Sequence, residues 1–217
     1  MLKLRLLLIS IIAIVGFFIA PVAVKGQTVI LSLEPSSSSY TVGDSFNIVI
    51  KLDTGSSNTD GVDIHYLNYN PLLLEAQTVL PGALYANTNT NNIDAVNGRI
   101  DFSQTSAGGA TFNGQGTLAT ITFKALSQGT ANLTFSFTLG STIDTNVAFL
   151  GQDVLSNVVN SSYTLVVPDI TPPTGCVVKI NNDAAAASST SVFLTVSGCT
   201  DASGMDQMKF SNNGIDG

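Results

Sequence analysis

The stretch Ala131-Asn132-Leu133-Thr134-Phe135-Ser136-Phe137-Thr138-Leu139 places an apolar side chain at every odd position and a short polar one between. A period of two is the pattern of a strand with one face in a core and the other in water. The same pattern recurs on both sides of it. Phe46, Ile48, Ile50 and Leu52 alternate with Asn47, Val49, Lys51 and Asp53; Ala119, Ile121 and Phe123 alternate with Thr120, Thr122 and Lys124. Ile100 and Phe102 alternate with Arg99, Asp101 and Ser103. Turn residues separate these runs: Val42-Gly43-Asp44, Asp53-Thr54-Gly55, Asn97-Gly98, Gly114-Gln115-Gly116 and Gln128-Gly129. No window carries a sustained helical period. The expected fold is all-β, a β-sandwich of about nine short strands.

Composition agrees with this reading. Charged residues make up 11 % of the 217 residues, against about 25 % in an ordinary soluble domain. Ser, Thr, Asn and 19 Gly fill the gap, and these are poor helix formers. The net charge of −7, with no Lys/Arg cluster, lacks the electrostatic footprint of a nucleic-acid binder.

The first 26 residues form a separate unit. Lys3 and Arg5 precede an apolar run from Leu6 to Ala20, which Pro21 ends. This is the layout of a secretory signal peptide cleaved before Gln27; an uncleaved N-terminal anchor is the alternative. Removal takes away Lys3, Arg5 and Lys25 and no acid, so the exported remainder is more acidic still.

Residues 27–167 are expected to form the sandwich and residues 168–175, with three Pro and a Gly, a linker. Residues 176–217 read as the first strands of an immunoglobulin-like β-sandwich, incomplete because three strands are too few to close a core. Strands are expected from Cys176 to Ile180 and from Ser191 to Val196, with a third from Met208. Antiparallel pairing of the first two sets Cys176 beside Cys199, a candidate disulfide in an exported protein; two unpaired thiols are the alternative.

Several segments of the first domain carry a resemblance. They run in order from Val42-Gly43-Asp44-Ser45-Phe46 to Leu67-Asn68-Tyr69-Asn70-Pro71, Leu74-Glu75 and Val79-Leu80-Pro81-Gly82. They continue with Gly116 to Ala125, Gly129 and Leu133-Thr134-Phe135. In this order and spacing they resemble a cohesin module over roughly Val29 to Val167. The family commonly has Tyr-Asp-Pro where this chain has Tyr69-Asn70-Pro71, and the stretch from Tyr85 to Asp94 reads as an Asn/Thr-rich loop. The resemblance implies a nine-stranded jelly roll that docks a dockerin-bearing protein through a flat sheet face, in polysaccharide-degrading assemblies or on cell surfaces. Dockerins are built on calcium-loop helices, and no Asp-x-Asp-x-Asp-Gly loop occurs here, so this chain would be the receptor. Asp63, Tyr66 and Asn68, on or beside the strand before Pro71, are the candidate partner-binding residues; ordinary solvent-facing strand positions are the alternative.

Catalytic patterns are lacking. The single His65 has no nucleophile motif to serve, and no Gly-x-Ser-x-Gly elbow, phosphate loop or His-Glu-x-x-His occurs. Asp63 with Asp101 could be imagined as the opposed carboxylate pair of a glycosidase, but fifteen acids scattered over turns make chance pairs easy. No cofactor is expected; Asp44, Asp53, Asp60, Asp94 and Asp101 could together hold Ca²⁺, or simply form turns. The sequons at Asn132 and Asn160 are the kind of short match that chance supplies in such a composition. Direct polysaccharide binding is the other function to weigh, through Tyr66, Tyr69 and Tyr85, as is a structural spacer in a surface protein. The absence of Trp favours protein docking.

Overall fold

The computed structural model describes residues 28–202 and Gly204, and among these every regular element is a strand. The segment expected to be a signal peptide and the strand expected from Met208 lie outside the described residues. In chain order the first strands are β1 (Val29–Glu34), β2 (Ser37–Thr41), β3 (Ser45–Asp53), β4 (Gly61–Asn68) and β5 (Leu74–Pro81). They are followed by β6 (Asn87–Asp94), β7 (Arg99–Thr105), β8 (Gln115–Ala125), β9 (Gly129–Phe135) and β10 (Asn146–Phe149). The last are β11 (Gln152–Asp153), β12 (Leu155–Val159), β13 (Ser161–Val166), β14 (Val177–Ile180) and β15 (Leu194–Ser197).

Strands β1 to β13 make a jelly-roll sandwich. One sheet runs β12-β1-β3-β8-β5 and the other β11-β10-β4-β9-β13-β2, with β7 on β4 and β6 on β7. The alternating residues meet between the sheets: Ile48, Ile50, Leu52, Ile121 and Phe123 from one, Ile64, Ile100, Phe102, Leu133 and Tyr163 from the other, all buried. Burying a Leu, Ile or Phe side chain fully is worth about 1.5–3 kcal/mol, so this interleaved layer is what holds the two sheets together.

Two expectations need correction. The stripe from Ala131 was expected to continue to Leu139, but β9 ends at Phe135 and Leu139 is 71 % exposed. Beyond it Ser136 N donates to Tyr66 O, Ser141 N to Thr138 O, and Gly140 turns the chain at φ +78°, so Phe137 and Leu139 alternate on a loop with no strand to join. The Asn/Thr-rich stretch expected as a loop is instead largely β6, paired with β7 from Asn87↔Thr105 to Asp94↔Arg99. Polar side chains of β6 and β7 act as ties: Asn91 Nδ2 donates to Val79 O at 3.0 Å, and buried Gln104 Nε2 donates to Gly82 O and to Thr88 Oγ1. Backbone pairing and these amide bonds replace the hydrophobic alternation that marks the other strands.

The β6–β7 hairpin is closed by Asn97-Gly98. Gly98 sits at φ +65° with its Cα against Tyr69 O and the Pro71 ring, where a side chain would collide. Tyr69 N donates to Gly98 O, which fixes the end of β4 beside the start of β7. In the C-terminal segment, β14 and β15 pair from Val177↔Ser197 to Ile180↔Leu194, and Cys176 is joined to Cys199. Thr174 pairs with Thr200 just outside that bond.

Candidate functional site

Strand β4 is the one whose outer side carries the most varied chemistry. Val62, Ile64 and Leu67 point into the core, and Asp63, His65, Tyr66 and Asn68 remain partly exposed. Strict alternation would bury Tyr66. A register shift between His65 and Leu67 against β7 adds one residue on the β4 side, and such a bulge re-aims the side chains around it. Sequence reasoning therefore selected three residues of this strand that share an outer surface, and missed His65, which lies among them.

Strand β7 runs along one edge of β4 and sets Ser103 opposite Asp63, Asp101 opposite His65 and Arg99 opposite Asn68. His65 Nδ1 lies 3.7 Å from Asp101 Oδ2. The Arg99 guanidinium lies over the Tyr66 ring, 5.0 Å from its centroid. Burial, then the neighbouring Asp101 charge, pushes the Asp63 carboxyl above its ordinary range, and His65 opposes that rise. Beyond β7, Asn92 and Thr90 of β6 stand opposite Asp101 and Ser103. On the other edge, β10 sets Asn146 opposite Asp63, and β9 sets Thr134 opposite Asn68. Asn68 Nδ2 donates to Thr134 O at 3.2 Å and to Ser136 Oγ at 2.9 Å, so this side chain braces β4 against β9 as well as facing outward.

The result is a sheet face with two carboxylates, an imidazole, a guanidinium and a phenol at its centre, flanked by amides and hydroxyls. Arg99, Asp101 and Ser103 were legible as outward-facing from their own alternation. Their place beside β4 was not, because nothing local to either strand names its neighbour.

The other candidates fare differently. Tyr69 and Tyr85 are 6 % and 4 % exposed, so neither offers a ring for sugar stacking; Tyr85 instead shares a 2.7 Å buried hydrogen bond with Thr59. The five aspartates weighed for Ca²⁺ do not converge, and among the described residues no three His, Cys, Asp or Glu side chains group to hold a metal ion. Most hold backbone or amide donors in turns. Asp53 accepts from Gly55 N and Gln115 Nε2, Asp60 from Leu150 N, and Asp94 from Asn97 N. The two bonds from Asn97 hold the Asp94 carboxyl below its ordinary range. Asp63 and Asp101 do share one face, on neighbouring strands of one sheet.

A cohesin domain model matches residues 31–148. Among similar solved structures is the seventh ScaB type I cohesin from Pseudobacteroides cellulosolvens, 19 % identical, with a TM-score of 0.54 over 67 % of this chain and 96 % of that one. A Clostridium thermocellum OlpC cohesin, solved in complex with dockerin Doc435, is 15 % identical, with a TM-score of 0.54 over 65 % of this chain and 96 % of that one. The sixth cohesin of Acetivibrio cellulolyticus scaffoldin B, solved with a mutant Cel5 dockerin, is 19 % identical, with a TM-score of 0.52 over 64 % of this chain and 99 % of that one. At these identities the likeness is one of fold. No curated protein matches the chain.

Proposed function

The chain belongs to the cohesin domain family, and on that premise we propose that its sandwich is a non-catalytic receptor that seats a dockerin-bearing protein on the outer face of β4 and β7. The observation that carries this reading is the convergence of Asp63, His65 and Tyr66 with Asp101 and Arg99 on one sheet face. Strands hold these side chains at fixed spacing, so little backbone ordering is left for binding to complete. Tyr and Arg are the residue types that most often anchor protein interfaces, and here one lies over the other. Two of the similar cohesins were solved with dockerins bound, which supports a partner of the same class. Any calcium in such a complex would come with the dockerin's own loops.

In this reading the protein works outside the cell, carried there by residues 1–26, within a polysaccharide-degrading or surface assembly. Residues 168–175 link the receptor to an immunoglobulin-like β-unit from 176 onward, stapled by Cys176–Cys199. The test is calorimetric titration of the full chain against a panel of calcium-loaded dockerins, with cellulose and xylan oligosaccharides in parallel. Binding to a dockerin, lost on chelating calcium and weakened by Asp63→Ala or Tyr66→Ala, is the expected result. Binding to sugar alone contradicts the proposal.

A further inference from the structure

The hairpin joining β10 to β11 turns on two residues, Leu150 and Gly151, with Phe149 opposite Gln152. Both turn residues have positive φ, +51° and +77°. Two left-handed residues in a two-residue loop make a type I′ turn, whose first position favours Asn, Asp or Gly. Leucine is a poor occupant, because its Cβ crowds the backbone in that region. Nor does the core repay it, since Leu150 is 76 % exposed. The conformation is held from outside the hairpin: Leu150 N donates to Asp60 Oδ2 at 2.8 Å across 90 residues of sequence, and Asp60 N donates to Ala148 O.

An exposed apolar side chain, kept in a disfavoured backbone conformation by a dedicated carboxylate, has a local cost with no local return. Such outliers cluster where a protein meets a ligand. The position supplies the ligand. Strand β10 pairs directly with the start of β4, Ala148↔Gly61 and Asn146↔Asp63, so the turn stands at one end of the polar face described above. That face has charges at its centre and no large exposed aliphatic residue on β4 or β7.

We propose that Leu150 is an apolar anchor of the docking face, taking an aliphatic or aromatic residue of the partner while Asp63, His65, Tyr66, Asp101 and Arg99 meet its polar groups. This rests on the docking reading. Buried apolar anchors next to polar contacts carry a disproportionate share of interface affinity, and an anchor on a rigid turn does so without a large ordering cost.

The experiment compares the full chain with Leu150→Asn and Leu150→Met, reading thermal stability and affinity for whichever calcium-loaded dockerin of the panel the unaltered chain binds. The expected result for Leu150→Asn is a melting temperature equal to or above that of the unaltered chain and an affinity at least about tenfold lower. Leu150→Met should stay within about threefold of the original affinity, because it keeps an apolar side chain of similar volume. A Leu150→Asn variant that melts lower overturns the proposal, since Leu150 would then serve the fold. Unchanged affinity in a stable Leu150→Asn overturns it too, while leaving the docking reading intact. Failure of the unaltered chain to bind any dockerin defeats the docking reading and this proposal with it, and it is seen before any variant is made.

Discussion

The guanidinium of Arg99 lies over the ring of Tyr66, 5.0 Å from the ring centroid, although the two residues sit on different strands and 33 positions apart. Two local irregularities produce this contact. The bulge after His65 gives Tyr66 a place on the outer side, and the tight Asn97-Gly98 turn starts β7 directly beside the end of β4. A cation over an aromatic face at an exposed site is worth about 0.5–1 kcal/mol. Arg99→Ala should therefore lower unfolding stability in urea by about that amount, and Arg99→Lys should retain part of it. An Arg99→Ala variant as stable as the original would show that the ring contact contributes nothing.

Asp63 offers a test with a definite sign. Its carboxyl titrates above its ordinary 3.8 in the fold, first through burial and then through Asp101. A raised carboxyl pKa means that the folded state binds the proton more tightly than the unfolded chain. Stability from this group is thus greatest in acid and is lost as pH rises from the ordinary value through the raised one. Asp63→Asn should raise the melting temperature at pH 7 and leave it unchanged in strong acid, where the carboxyl is protonated in both states. A gain of equal size at both pH values would assign the effect to packing.

Tyr163 is fully buried, and its hydroxyl donates to Pro35 O at 2.7 Å. Burial pushes its phenol up to about 12. Because the fold disfavours the phenolate, the Tyr163 contribution to stability should begin to fall once pH exceeds about 10, the value in the unfolded chain. Tyr163→Phe should cost about 1 kcal/mol at neutral pH through the lost hydrogen bond and should remove that alkaline decline. Chemical denaturation at neutral and alkaline pH, with phenolate absorbance followed in parallel, measures both.

The hairpin of β14 and β15 has no third strand among the described residues, and Val177, Val178, Ile180 and Leu194 are exposed on it. A lone two-stranded hairpin is marginal in water, and closing a loop of this size by a disulfide is worth about 3 kcal/mol. Reduction of Cys176–Cys199 should speed amide exchange across residues 177–197 and leave the melting of the sandwich unchanged. A lower sandwich melting temperature on reduction would mean that the two units stabilise each other.

Legibility in the sequence followed the physics of each strand. Where one face enters the core, as in β3, β8 and β7, alternation names the buried side residue by residue, and the turns between them follow from Gly and Asn. Alternation alone fails at Leu139, where the period persists after the chain has left the sheet. It fails in the opposite sense at β6, where Asn91 and Gln104 hold an edge strand through amide bonds that no hydrophobic pattern reports. The candidate site divides the same way. Asp63, Tyr66 and Asn68 could be chosen from one strand, while Asp101 and Arg99 join them only through a pairing between distant segments. Leu150 carried no sequence signal of its own, since Leu-Gly is not a combination that announces a type I′ turn.

If the outer face of β4 and β7 receives the partner, hydroxyl-radical footprinting of the full chain with and without a bound dockerin will map the contact onto it. Strong protection of His65 and Tyr66 is expected, with Phe193 on the tail and Leu80 on the opposite sheet oxidised as before. Protection of Leu80 or Phe193 with His65 and Tyr66 unchanged would place the partner elsewhere and contradict it.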